Sequence, residues 1–354
     1  MAKIFIISTI LRLVIIFLSQ NIYNFDLISY KKIGELTLKH TNIYPEIAKI
    51  YHPYFPFFLY LEALAVFLNN RIGINYIFFL KFINLLFDLG TIYLIYLLSN
   101  KNLKNAFFYS LNPISILIFF LHGQFDIIPL FFILLSLYFL KQKKDLLSIF
   151  SYSFAILTKT WPILFVFPIL KGIKNKKFSL LLFFFPIIST IFHGIFFKSS
   201  FLDIFKTTFT YRSLFNFWGL GKIIYLIFFQ HQSQPEIYFQ KIFLVLFLFS
   251  LFIYSLKINY KNLIIYFFDL LLFFYIFTVG FAIQYLSWFI PFLFLISPKK
   301  WYWLYLLTFI TVLINYLIWI TNFIPPNFII FFIFLNWISF IFFMIYWKKS
   351  LKPK

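Results

Sequence analysis

A chain of 354 residues that is 63% hydrophobic, with a mean hydropathy of +0.92 and 12% charged side chains, has too little polar surface to cover a soluble globule. That excludes an aqueous enzyme and leaves a polytopic membrane protein. The net charge of +21 would suit nucleic acid. The lysines, however, fall in short clusters between apolar runs, the pattern of cytoplasmic connectors, so no nucleic-acid partner is expected. The absence of cysteine removes disulfides, thiolate catalysis and cysteine-based metal sites.

Apolar runs of about 17 to 25 residues separated by lysine-rich connectors predict an all-α polytopic fold of about twelve transmembrane helices with large outer loops, as one domain over residues 1–354. The first run, about residues 4–20, is expected to be a retained helix, because Gln20-Asn21-Ile22 makes a poor signal-peptidase site. The polar stretch from Asn21 to Pro56 follows, with three of the ten carboxylates (Asp26, Glu35, Glu46) and the histidines His40 and His52. So polar a stretch in so apolar a chain is expected to be an outer working loop and the first wall of an active site.

Tyr54 to Leu68 begins among prolines and contains Glu62, and it is short for a hydrocarbon layer of about 30 Å, so it is expected to be interfacial or re-entrant. Tyr76 to Leu98 then returns inward, and Ala106 to Leu121 leads out to HGQFD, which places Asp126 on the same face as Asp26. If Tyr54 to Leu68 spans instead, that parity changes. Asp126 to Leu140 runs inward. Leu146 to Leu170 should form a hairpin tipped at LTKTWP, where Pro162 breaks the helix and leaves Lys159 outside or in a cavity. Phe178 to Phe197 exits to a second large outer region, residues 198–240, in which Tyr225 to Phe229 dips into the interface. Phe239 to Leu256 returns, and two hairpins follow with turns at TVGFAIQY and TNFIPPN. The connectors at Lys101/Lys104, Lys141/Lys143/Lys144, Lys171 to Lys177, Lys257/Lys261 and Lys299/Lys300 put both termini in the cytoplasm, with the plasma membrane of a prokaryote as the expected location.

Ten carboxylates are few enough to weigh singly. Asp26, just beyond the first helix, reads either as a helix cap or as a general base. Asp126 could complement a helix dipole, but His122 and Gln124 beside it make a polar cluster between two apolar runs, suited to binding an acceptor or a metal. Asp88, seven residues after Lys81 on one helical face, reads as half of a buried structural pair. Lys159 and Arg212 are the cations best placed for a phosphate, unless they merely snorkel to the surface. Gln284 and Tyr285, near Ser287 and Trp288, form an amide and aromatic rim or part of an aromatic belt. No HExxH, GxxxxGK or GxGxxG spacing occurs.

Taken together, Asp26, YHPYFP, FINLLFDLGTIYLIYLL, NPISILIFFLHGQFD, LTKTWPILFVFPIL, YRSLFNFWGLG and FAIQYLSWFIP make a series. In that order the chain resembles the GT-C superfamily of integral-membrane glycosyltransferases, in particular the polyprenyl-phosphate-mannose-type mannosyltransferases. The resemblance implies a GT-C-like fold and transfer of a sugar, mannose first, from a polyprenyl- or dolichyl-phosphate donor. The acceptor would be a lipid-linked glycan, a glycolipid or a protein, on the extracytoplasmic face. It implies that Asp26 and Asp126 are the catalytic carboxylates, that Lys159 and Arg212 attend the donor phosphate, and that His52, His122, Gln124, Gln284 and Tyr285 contact substrate. A divalent cation, Mg or Mn, is left open. Because a lipid phosphate departs as an anion, one base plus cations is enough, whereas hydrolysis needs two carboxylates. The competing reading is a multi-pass transporter or lipid flippase, for which related halves and broken helices near the midplane are expected.

Overall fold

Asparagine caps and apolar faces set most helix boundaries in the computed structural model, which describes residues 1–210, 217–228, 236–258, 262–297, 301–321, 325 and 327–351. The chain packs as two units, Met1–Tyr211 and Arg212–Lys354, although the sequence shows no boundary between them.

The first unit opens with α1 (Ala2–Ser19), α2 (Phe25–Leu38), the short α3 (Ala48–Tyr51), α4 (Phe58–Ile72) and α5 (Tyr76–Leu98). Next come α6 (Leu103–Ser110), α7 (Pro113–Ile116) and a π-helical turn, Leu117–His122, then α8 (Ile127–Lys141) and α9 (Asp145–Thr158). Two 3-10 segments, Trp161–Phe165 and Lys176–Leu181, flank α10 (Val166–Gly172), and α11 (Phe184–Phe197) and α12 (Phe201–Thr210) close the unit. The side chains of Asn24, Asn75, Asn102 and Asn112 accept from the first free backbone N–H groups of α2, α5, α6 and α7, satisfying donors that have no partner within the helix.

Half of the stretch expected to be an outer loop is therefore helical. Along α2 the buried residues Leu27, Tyr30, Ile33, Gly34 and Thr37 recur at helical spacing and lie against α4. Gly34 permits that approach, since a Cβ there would lie 2.6 Å from the Glu62 carbonyl oxygen. Of the polar residues that suggested a loop, Asp26 and Glu35 lie on α2, while His40, Glu46 and His52 lie outside it.

Asp88 is buried and paired, as expected, but its partner is not Lys81. Arg12 of α1 donates Nε–H to Asp88 Oδ2 at 2.5 Å, and Tyr109 donates its hydroxyl to Oδ1 at 3.0 Å. Lys81 lies two turns earlier in α5 and is used elsewhere, because a seven-residue offset separates two side chains of one helix by about 10 Å along its axis.

The second unit comprises α13 (Gly219–Phe228), α14 (Glu236–Lys257), α15 (Leu263–Phe277), a 3-10 turn (Ile283–Ser287), α16 (Ile290–Ile296), α17 (Trp301–Thr321) and α18 (Asn327–Leu351). Residues 266–276 of α15 are all buried. Two carbonyls in its last turn accept from indole N–H groups, Tyr275 O from Trp218 and Ile276 O from Trp337. Asp269 on the same helix accepts from Lys348 and Tyr254, each at 2.7 Å.

Among the described residues five helices are long and apolar enough to cross a membrane: Ala2–Ser19, Tyr76–Leu98, Lys176–Phe197, Trp301–Ile320 and Phe328–Ser350. A sixth arises if Leu103–Ser110 and Pro113–His122, bent by 43°, act as one broken span. The chain is thus a helical, polytopic membrane protein by length and composition of its helices. Phe58–Ile72 is not among them, in keeping with its shortness.

Candidate active site

The site is built around the end of the π-helical turn. A π-turn leaves backbone carbonyls out of the usual helical ladder, and buried carbonyls need donors. Four successive carbonyls find them in side chains of other segments: Phe119 O in Asn84, Phe120 O in Ser19, Leu121 O in Lys81 and His122 O in Asn24, at 2.8 to 3.1 Å. Asn84 also donates to Gln124 O at 2.9 Å. Lys81 is completed by Ser19, whose carbonyl and hydroxyl both accept from it. This explains four buried polar residues, Ser19, Asn24, Lys81 and Asn84, which would otherwise be costly.

The chain then reverses at Gly123, with φ +94, and delivers His122, Gln124 and Asp126 to one region. A Cβ at Gly123 would stand 2.9 Å from Leu27 Cδ2, so glycine serves both the backbone conformation and the approach of α2.

Asp26 lies in the first turn of α2 with its side chain 37% exposed. Gln124 donates Nε2–H to Asp26 Oδ2 at 2.6 Å, and His122 Nε2 lies 2.9 Å from the same oxygen. No donor among the described residues reaches Oδ1. Burial pulls the carboxyl upward, but the hydrogen bond and charge of His122, the charge of Lys159 and the Gln124 hydrogen bond outweigh it and hold Asp26 below the ordinary carboxylate range. The result is an ionised carboxylate with one oxygen pinned and the other open.

Behind Gln124 stands a buried pair. Lys159, at the break between α9 and the Trp161 turn, donates to Asp126 Oδ2 at 2.7 Å and to Gln124 Oε1 at 3.3 Å, with its side chain 6% exposed. Its ammonium sits 4.1 Å from the Phe125 ring centre and 5.2 Å from that of Tyr54. With Lys159 on one side and a carboxylate on the other, only one orientation of the Gln124 amide satisfies both.

The sequence-predicted residues thus divide. Asp26, His122, Gln124, Asp126 and Lys159 form one connected cluster, in which Gln124 and Lys159 link Asp26 to Asp126. Lys159 was expected to face a phosphate, yet it is buried and neutralised by Asp126, and Asp126, wholly buried, is closed to a substrate. His52 is buried too. Its Nδ1 lies 3.3 Å from Glu62 Oε2, and the Tyr54 ring, in edge contact with both His52 and Phe125, separates it from the cluster. Burial of Glu62, opposed by His52, pushes its carboxyl above the ordinary range. Gln284 and Tyr285 belong to the second unit, where the Tyr285 ring stacks on Trp288 at 4.2 Å and its carbonyl accepts from the Tyr275 hydroxyl at 2.6 Å. Arg212 lies outside the described residues.

The donor set does not fit a divalent ion shared by Asp26 and Asp126. An amide N–H, an imidazole and an ammonium occupy the space between the carboxylates, and no group of three His, Asp or Glu side chains gathers for a metal among the described residues.

Sequence reading missed Asn24, Ser19 and Asn84. The signal for Asn24 was present, as an asparagine directly before a segment of helical periodicity. Ser19 and Asn84 carried none, because their use depends on carbonyls of a turn distant in sequence. In comparison with protein-family models, curated proteins and solved structures, the chain gives no match.

Proposed function

We propose that the chain is an integral-membrane inverting glycosyltransferase of GT-C-like architecture. It would move a sugar, mannose first, from a polyprenyl-phosphate donor to an acceptor hydroxyl at the extracytoplasmic face. The observation that carries this reading is Asp26: an ionised, partly exposed carboxylate with one oxygen fixed by two donors and the other open, at a polar end of an apolar helical unit.

In the proposed reaction the acceptor hydroxyl hydrogen-bonds to Asp26 Oδ1 and its oxygen attacks the anomeric carbon from the face opposite the phosphate. The new C–O bond forms as the bond from that carbon to the phosphate oxygen breaks. The hydroxyl proton passes to Asp26, and the lipid phosphate leaves as an anion, so no second acid is required. A carboxylate held below its ordinary range is a weak base, so proton transfer would come late, once the attacking oxygen has acquired positive charge. Until then Asp26 chiefly aims the hydroxyl. Gln124 and His122 hold the carboxylate, and Lys159 with Asp126 holds Gln124. Compensation of the phosphate charge falls to Arg212 in this reading.

The test is transfer of labelled hexose from a panel of polyprenyl-phosphate hexoses to glycolipid acceptors by the purified protein in nanodiscs. Asp26→Asn should lower the rate by about 10²- to 10⁴-fold. A variant that keeps the wild-type rate would remove Asp26 from the chemistry and the reading with it.

A further inference from the structure

Asn24 makes two bonds that belong to different parts of the site. Its Oδ1 accepts from Leu27 N–H at 2.8 Å, capping α2, and its Nδ2 donates to His122 O at 2.8 Å. The residue is buried, with φ −139 and ψ 174. Asparagine is a usual cap in this chain, so the residue type alone says little. The geometry is what differs: the donor side of Asn24 reaches the backbone of another segment, 98 residues away, whereas among the described residues that of Asn75 meets the Asn21 side chain at 3.4 Å and that of Asn112 finds no partner.

We infer that Asn24 is a positioning residue for Asp26, a two-ended clamp that fixes the first turn of α2 against the segment carrying His122 and Gln124. Asp26 follows the cap by two residues and the helix turn leaves it little freedom, so the orientation of that turn fixes its Oδ2. The backbone of His122 sets where its imidazole stands. One amide group spans the gap between them and thereby holds the 2.9 Å and 2.6 Å contacts on Oδ2. Serine caps a helix as well as asparagine but has no second arm, so Asn24→Ser separates the two tasks.

Full-length protein in nanodiscs would be titrated by difference infrared spectroscopy, with Asp26→Asn identifying the Asp26 band. In Asn24→Ser the Asp26 carboxyl should titrate about one pH unit higher than in wild type, as the donors on Oδ2 lose register. With His122→Ala present in both chains, that increment should shrink to the part carried by Gln124. Asn24→Ala, which loses the cap as well, should show the same titration shift with a larger fall in unfolding temperature. Unchanged Asp26 titration in Asn24→Ser would overturn the clamp and leave Asn24 as a cap alone. The rate arm rests on the transferase reading: Asn24→Ser should lower kcat by about tenfold with both KM values unchanged. A shifted titration in a protein that transfers no sugar from any donor would support the clamp while refuting the transferase.

Discussion

Two of the carboxylates in the first unit sit in one cluster and do different work. Asp26 is exposed on one oxygen and held below the ordinary carboxylate range, so it remains ionised through mildly acidic conditions. The acid limb of any activity that needs its anion should therefore lie below the pH at which a free carboxylate protonates, and the limb should move up in Gln124→Ala, as a pH profile of kcat/KM would read. The sign for stability is the same: a depressed pKa contributes stability at neutral pH that is lost as the pH falls through the folded-state value. Asp126 is wholly buried against Lys159. Asp126→Asn takes from the buried ammonium its contacting counter-charge and should cost about 3–5 kcal/mol, whereas Asp126→Leu with Lys159→Met, removing both charges, should cost much less. Thermal unfolding in one lipid composition separates the two outcomes. If the double variant is the less stable, the pair contributes more than its own neutralisation.

The π-helical turn and α2 are the elements on which the site depends, and each is held by residues that belong to neither. Asn84 serves two carbonyls, of Phe119 and Gln124, so Asn84→Leu should destabilise by about 1–3 kcal/mol for each carbonyl left without a donor. Gly123→Ala should act twice, through the strain of φ +94, about 1–2 kcal/mol, and through pressure of the new Cβ on Leu27, which lies in the first turn of α2 beside Asp26. A fall in unfolding temperature with a raised Asp26 titration would match that expectation. A fall in stability with Asp26 unchanged would mean that α2 is not coupled to the turn. The same elements mark where sequence reading went wrong. Asn21 to Pro56 reads as a loop because it is polar against an apolar background, but within it Asn24 caps a helix of fourteen residues, α2, which packs on α4. Asp88 was correctly read as paired and given the wrong partner, since Arg12 comes from another helix.

At the scale of the whole molecule the orientation in the membrane is the outstanding expectation, and a chain without cysteine is suited to test it. A cysteine at Ile28, 54% exposed, should react with an impermeant thiol reagent on intact cells, and one at Gln142, exposed in the connector after α8, should react only after permeabilisation. Equal labelling of both from outside would break the inside placement of the lysine clusters. Composition and apolar run length determined by themselves that this is a helical membrane protein, and the Tyr76–Leu98 helix was legible to its ends, because hydrophobicity and periodicity are local properties of the chain. Asp26, His122, Gln124, Asp126 and Lys159 could be named singly for the same reason. That Lys159 answers Asp126 rather than a phosphate, that His52 answers Glu62, and that Lys81, Asn84, Ser19 and Asn24 serve four carbonyls of one turn was decided only by tertiary structure. A buried polar group takes whichever partner packing brings within about 3 Å, and that partner has no fixed distance along the sequence.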